Sequence, residues 1–182
     1  PITVAEPVGT LSALSNGSVC AGGSTSFTVT AASGGPFDYQ WEVSTDGGLT
    51  YAAVANGGVY SGATTGTLTI SGATTSLNGN LYRVVFSVPA CSSSATSNAA
   101  TLTVNANPEV TVTAAPFTSL YPGLQTTLTA NVSPANANNT YQWFLNGTAI
   151  TGANAATYLA DIDGLGTYTV EVVDPNACNS IS

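Results

Sequence analysis

The motif Tyr-Gln-Trp occurs twice in this sequence of 182 residues, at 39–41 and 141–143. The segments around it are repeated in the same order. The matched segments are GGSTSFTVTA (22–31) with GLQTTLTANV (123–132), DYQWEVSTDGG (38–48) with TYQWFLNGT (140–148), and NGNLYRVVF (78–86) with GLGTYTVEV (164–172). Repetition of this kind predicts two homologous modules. We place them at residues 1–105 and 106–182, because Asn107-Pro108 interrupts strand pairing near the boundary.

The repeated segments have the period-2 alternation of β-strands. In STSFTVTA, Phe27 and Val29 point to one side and Thr28 and Thr30 to the other. Asn-Gly and Asp-Gly pairs, which tolerate the positive φ of tight turns, lie between such segments. Because no segment sustains a 3.6-residue period, the fold class is predicted to be all-β, with two tandem β-sandwich modules and essentially no helix.

The charge of the chain excludes several classes of function. One Lys+Arg against nine Asp+Glu gives a net charge of −8, and there is no histidine. Binding to nucleic acid and attraction to anionic lipid both need clustered basic residues. The chain has no such cluster, so neither partner is expected. No run reaches the roughly 20 apolar residues of a membrane span, so membrane insertion is not expected. Without histidine, and with no cofactor motif, we expect no enzyme and no cofactor.

The order of aromatic residues resembles that of immunoglobulin-like β-sandwiches. Trp41 and Trp143 match the core tryptophan of that fold, and Tyr82 and Tyr168 match its corner tyrosine. The first module is more specifically similar to the Ig-like repeats of large secreted bacterial surface proteins, of the adhesin and gliding-associated type. This resemblance implies an extracellular, cell-surface location and an Ig-like fold for both modules.

The same resemblance implies a disulfide bond between Cys20 and Cys91, at the start of one strand and after another. Cys178 aligns with Cys91, but its own module has Tyr121 where Cys20 would align. Cys178 is therefore expected to be a free thiol or to form an intermolecular bond.

Two further sites have open interpretations. Asp161 and Asp163 flank a turn and are weak calcium candidates, but the full ligand pattern of a calcium loop is absent and acidic turns are common at this corner. Arg83, the chain's one cationic side chain, and Glu42 point outward on neighbouring strands. They are predicted to form a cross-strand ion pair, with a substrate-binding arginine as the alternative.

The two ends of the sequence suggest how copies join. Module 2 is expected to lack its last strand, and Ile2, Thr3 and Val4 match the closing-strand segment LTV at 102–104. Residues 1–7 are therefore predicted to be a strand that completes module 2 of a neighbouring copy. A covalent tandem array, a strand-donated filament and truncation of a longer sequence remain open.

The predicted function is that of a non-catalytic structural or adhesive repeat of an extracellular bacterial surface protein or filament. Its partners would be neighbouring copies of itself, joined head to tail, and any cell-surface or glycan ligand is unidentified. The alternative is a carbohydrate- or protein-binding module of a secreted enzyme. Loop aromatics favour that alternative, and the candidates are Tyr51, Tyr60, Phe117 and Tyr121.

Overall fold

The computed structural model describes residues 11–31, 37–88 and 93–182 and forms two compact units. Pro1–Asn105 is module 1 and Ala106–Ser182 is module 2. The helical residues in the described ranges are confined to two three-residue 3-10 helices, Thr75–Leu77 and Ile162–Gly164. The predicted all-β fold of two immunoglobulin-like sandwiches is confirmed.

The described part of module 1 has nine strands in two sheets. In chain order they are β1 (Gly17–Cys20), β2 (Thr25–Thr28), β3 (Asp38–Ser44), β4 (Ala52–Ala53), β5 (Tyr60–Ser61), β6 (Thr67–Ile70), β7 (Leu81–Val88), β8 (Ser93–Thr96) and β9 (Ala100–Asn105). The larger sheet has the order β1-β9-β7-β3-β4, with β8 also paired to β7, and the smaller has the order β2-β6-β5. β1 runs parallel to β9, whereas the other pairs are antiparallel.

The alternation of the sequence explains how these strands form a core. Along β7, Tyr82, Val84, Phe86 and Val88 are buried, while the residues between them are half-buried. A strand places successive side chains on opposite faces, so one face of β7 is available to the core. Trp41 on β3 belongs to the same buried cluster.

Module 2 has its own core and seven strands. They are β10 (Glu109–Ala115), β11 (Gln125–Ser133), β12 (Thr140–Leu145), β13 (Thr148–Ala149), β14 (Thr157–Asp161), β15 (Tyr168–Val173) and β16 (Asn179–Ile181). One sheet has the order β10-β11-β14 and the other β13-β12-β15-β16. The hairpin between β12 and β13 turns at Asn146-Gly147, with φ of 50° and 79°, which is the positive-φ pair expected of an Asn-Gly turn.

The expectation that module 2 lacks its last strand needs one correction, because a short strand, β16, follows Cys178. β16 pairs antiparallel with β15. After it, the N–H of Ser182 donates to the carbonyl of Val170 at 3.2 Å, and the N–H of Val170 donates to the Ser182 hydroxyl at 3.1 Å. Ser97 makes the same two bonds with Val84 in module 1, each at 3.0 Å. β16 is therefore the counterpart of β8, and no described strand of module 2 corresponds to β9.

Cys20 is disulfide-bonded, and Cys91, the partner expected from the family resemblance, lies outside the described residues. Cys178 is also disulfide-bonded, so the expectation of a free thiol there is wrong. Its side chain is 1% exposed, and its N–H donates to Asp174 Oδ1 at 2.9 Å in the turn after β15. The positions of cysteines in a sequence do not determine which of them are paired.

The turn between β3 and β4 is organised by the Asp46 carboxylate. It accepts hydrogen bonds from the Thr50 hydroxyl at 2.6 Å, the Thr50 N–H at 3.0 Å and the Ser44 hydroxyl at 2.7 Å. These bonds, led by that from the Thr50 hydroxyl, favour the ionised form and hold the pKa of Asp46 well below its usual range.

We expect Asp46→Asn to lower the thermal midpoint of module 1 at neutral pH, and the difference from wild type to vanish in acid. Since the folded pKa lies below the unfolded value of about 4, the stabilisation is complete above that value and is lost as pH falls through the folded pKa. Melting curves from about pH 2 to about pH 7 measure this. Thr50→Val, which removes the hydroxyl donor, should act in the same direction, and a difference that is constant with pH would contradict the prediction.

Candidate functional site

Trp41 and Trp143 occupy equivalent positions in the two cores. Neither side chain has exposed surface. The indole N–H of Trp41 donates to the carbonyl of Thr65 at 2.8 Å, and that of Trp143 donates to the carbonyl of Ala155 at 2.9 Å. A buried indole needs such an acceptor, because its one polar group is a donor. These two side chains are therefore committed to packing and are not available to stack on a ligand.

The glutamine before each tryptophan also makes the same bonds in both modules. Gln40 Nε2 donates to the carbonyls of Trp41 and Val54, at 2.8 and 2.9 Å. Gln142 makes the two corresponding bonds at 2.7 and 2.9 Å. Alternation places this side chain on the outer face of the sheet but does not identify its partners. The repeated Gln-Trp pair is thus a structural unit that joins its strand to the chain beyond the following turn.

The two corner tyrosines differ in their bonds. The Tyr168 hydroxyl donates to the carbonyl of Gly164, four residues earlier, as in the tyrosine corner of Ig folds. The Tyr82 hydroxyl is instead hydrogen-bonded to the Tyr60 hydroxyl at 3.0 Å. Burial raises the pKa of both tyrosines, and for Tyr82 the bond with Tyr60 raises it further. Tyr82 is fully buried, whereas Tyr168 is half-buried.

Arg83 lies in a small cluster on the outer face of module 1. Its Nε donates to Glu42 Oε2 at 2.7 Å, and the two residues are opposite each other on β7 and β3. The guanidinium carbon also lies 3.7 Å from the centroid of the Tyr51 ring. The cross-strand register could be predicted from the sequence, but the stacking on Tyr51 could not. Because Arg83 already has both an anionic and an aromatic partner, the alternative of a substrate-binding arginine has no support from this geometry.

We expect the Glu42–Arg83 pair to contribute little to stability. Both side chains are partly exposed, and such pairs contribute about 0–1 kcal/mol. A double-mutant cycle with Glu42→Gln and Arg83→Met, read from denaturant midpoints, measures the coupling. A coupling energy above about 2 kcal/mol would contradict this expectation. Tyr51→Leu serves as the control that removes the stacking partner but keeps the ion pair.

The calcium candidates have a local role in the structure. Asp161 Oδ1 accepts a hydrogen bond from the N–H of Asp163 at 3.1 Å and caps the 3-10 helix Ile162–Gly164. Within residues 11–31, 37–88 and 93–182, no group of three or more His, Cys, Asp and Glu residues is arranged to hold a metal ion. Asp161 is therefore a helix cap, and nothing in this geometry adds further ligands to the pair.

A groove of about 320 Å³ opens on module 2. Residues 117–120 form one side of it, and residues 164–168 contribute four members of the other. Leu128 and Ala160 lie among the residues between these sides, and none of the lining side chains is charged. Phe117 is 38% exposed and Leu165 is 60% exposed, so apolar surface is accessible at this groove. Among the described residues it is the best candidate for a binding site, and alternation along the strands did not reveal it.

The predicted assembly strand is not tested by this geometry. Ile2, Thr3 and Val4 lie outside the described residues.

Of the helices that the structure describes, none has the length and apolar character needed to cross a membrane.

Comparison with known proteins identifies a family for part of the chain. A family model described as a domain of unknown function (DUF8696) matches residues 8–106. No curated protein sequence matches the chain.

Several solved structures are similar to the whole chain at low sequence identity. The N-terminal four Ig domains of Dscam1 isoform 7.44 are 16% identical, with a TM-score of 0.48 over 100% of this chain and 45% of that one. Those of isoform 9.44 are 18% identical, with a TM-score of 0.48 over 99% and 46%. The N-terminal eight Ig domains of DSCAM isoform 1.30.30 are 15% identical, with a TM-score of 0.46 over 100% and 23%. The chain spans less than half the length of each of these structures.

Proposed function

The chain belongs to this family of unknown function, and we propose that it is a non-catalytic structural or adhesive repeat of an extracellular bacterial surface protein or filament. In this proposal copies are joined head to tail, and the N-terminal strand Ile2-Thr3-Val4 completes module 2 of the neighbouring copy. The proposal includes no cofactor and no nucleic-acid partner.

The observation that carries the proposal is the repetition of one bonded framework in both modules. Each tryptophan and the glutamine before it make the same backbone bonds in the two cores. A framework that is used twice in one chain is typical of proteins whose function depends on stacking similar units. The most distinctive aromatic and amide groups of the sequence are thus used for packing, which favours a structural role over a catalytic one.

Two features support an extracellular location. Cys20 and Cys178 are each disulfide-bonded, and structural disulfides persist mainly in oxidising compartments. The first module also resembles the Ig-like repeats of secreted bacterial surface proteins. The bacterial source and the adhesin-like role in the proposal depend on this resemblance.

Self-association of the 182-residue chain tests the proposal. Sedimentation velocity from about 1 μM to about 1 mM should show species that grow with concentration, because a head-to-tail contact leaves a free donor and a free acceptor on every assembly. Electron microscopy of the same samples should show linear particles. A single monomeric species over the whole range would contradict head-to-tail joining.

A second candidate function is a carbohydrate- or protein-binding module, and the exposure of two aromatic residues favours it. Phe117 is 38% exposed and Tyr121 is 69% exposed, and they are separated by three residues. A glycan array probed with the wild-type chain and with the Phe117→Ala/Tyr121→Ala variant tests it. Glycan binding that is lost in this variant would support the second candidate, and no binding to any glycan would leave the structural repeat.

A further inference from the structure

A second pocket opens on module 2, further along β11 than the groove. Its volume of about 330 Å³ is within the range of small-ligand pockets in proteins. The lining consists of four small apolar side chains, one ring and one amide, namely Ala130, Val132, Ala135, Ala137, Tyr141 and Asn136. None of these six side chains is charged, so the pocket favours a neutral ligand that has both an apolar face and polar groups.

The corresponding region of module 1 is filled by aromatic rings. Phe37 packs against Tyr39 and Phe86, with ring centroids 6.2 and 5.8 Å apart. The repeated segments align Phe37 with Asn139 and Phe86 with Val172, whereas the tyrosine is kept. Module 2 thus has two smaller side chains beside the tyrosine that lines its pocket, and the pocket is a property of this module's own sequence.

Asn139 is buried, and its side-chain amide has no hydrogen-bond partner among the described residues. The residue is 8% exposed, and both Nδ2 and Oδ1 lack a partner in this part of the chain. Alternation along the strand places Asn139 on the same side as Tyr141, and Ala137, two residues before it, also lines the pocket. Burial of an unpaired amide is costly, and such groups are rare in folded proteins. A polar side chain held here at that cost points to a ligand that supplies one acceptor and one donor.

We infer that this pocket binds a pyranose unit of a neutral glycan. Two adjacent hydroxyl groups of a sugar ring match a side-chain amide, because one hydroxyl accepts from Nδ2 while the other donates to Oδ1. The apolar face of the same ring packs on Tyr141 and on the small side chains around it. The site is separate from head-to-tail joining and from the exposed pair Phe117 and Tyr121, so it is a further binding site.

The ligand reaches Asn139 through the turn at 135–138. The four residues of this turn are exposed, and the first three of them line the pocket. The N–H of Asn139 donates to the carbonyl of Asn136 at 3.2 Å, so the turn lies directly against this residue. Because Asn139 is not itself a lining residue, the turn shifts when a sugar hydroxyl pairs with the buried amide.

The charge of module 2 selects against acidic glycans. Residues 106–182 include no lysine or arginine and five carboxylates, which are Glu109, Asp161, Asp163, Glu171 and Asp174. A module with charges of one sign repels uronic acids and other anionic sugars. Any neutral sugar that binds should therefore do so at least about tenfold more tightly than the uronic acid of the same ring. The opposite order of affinity would overturn the inference.

Proton–nitrogen NMR of the isotope-labelled chain tests the site. The probes are glucose, galactose, mannose and their linear tetrasaccharides. At least one of them should give saturable shifts of the Asn139 side-chain amide signals and of the Tyr141 main-chain signal. Asn139→Leu should weaken that binding by about tenfold or more, whereas Asn138→Ala, at an exposed neighbour, should bind as the wild type does. Absence of saturable shifts with every probe would overturn the inference.

Thermal melting separates a binding role of Asn139 from a structural one. Without sugar, Asn139→Leu should melt about 4 °C or more above the wild type, because leucine leaves no unpaired amide in the core. A lower melting temperature would show that the amide supports the fold, and the inference would then fail. Tyr141→Leu, which removes the ring but keeps an apolar side chain, is a second binding variant and should weaken sugar binding by about tenfold or more.

A further variant distinguishes this site from the exposed aromatic pair of the second candidate function. The Phe117→Ala/Tyr121→Ala variant should bind the sugar at this pocket as the wild type does. Sugar binding that is lost in this variant but unchanged in Asn139→Leu would overturn the site and leave the second candidate function standing.

Discussion

Trp143→Ala should lower the free energy of unfolding of module 2 by about 3–5 kcal/mol. The indole has no exposed surface and packs on Tyr158, with ring centroids 6.1 Å apart. Its removal leaves a cavity and deprives the buried carbonyl of Ala155 of its donor. Small domains are stable by only about 5–15 kcal/mol, and the core of module 2 has fewer buried residues than that of module 1. The substitution therefore removes a large share of the stability of this module.

The two tryptophans make the measurement specific to one module. The chain has two, so Trp143→Ala leaves Trp41 as the tryptophan fluorophore, and it reports on module 1. Calorimetry should show the transition of module 2 at a lower temperature, while the guanidinium midpoint read from Trp41 fluorescence stays unchanged. Trp143→Phe, which keeps an aromatic ring but loses the N–H, should show a smaller loss. Equal shifts of both transitions, or none, would contradict the prediction.

Much of the fold could be predicted because it depends on local patterns. Alternation in the sequence corresponds to the observed burial along β7, and Asn146-Gly147 forms the turn that its composition favours. The same order of strands around Trp41 and Trp143 corresponds to the two observed sandwiches. The alternation and the turn depend on residues that are close together in sequence. The two sandwiches follow from the repetition of one order of segments in both modules.

The features that sequence reasoning missed depend on which distant groups meet. Cys178 is disulfide-bonded although its own module has Tyr121 where Cys20 would align, because strand position alone does not select a partner. Arg83 stacks on Tyr51 because the chain after β3 brings that ring to the outer face of β7. The groove of module 2 was missed for a related reason. Its lining residues come from separate segments of the chain, and they share a surface only after the sheets form.

Leu102→Ala in module 1 should lower the free energy of unfolding by about 2–5 kcal/mol, because the leucine side chain has no exposed surface and its truncation leaves a cavity in the core. Thr103→Ala, one residue along β9 and exposed, should change it by no more than about 0.5 kcal/mol. Chemical denaturation of the two variants, followed by Trp41 fluorescence, gives both values.

The difference between these two variants measures what an inward side chain on the closing strand contributes to the sandwich. Equal losses of free energy in the two variants would contradict the prediction, because only the side chain of Leu102 is buried in the core.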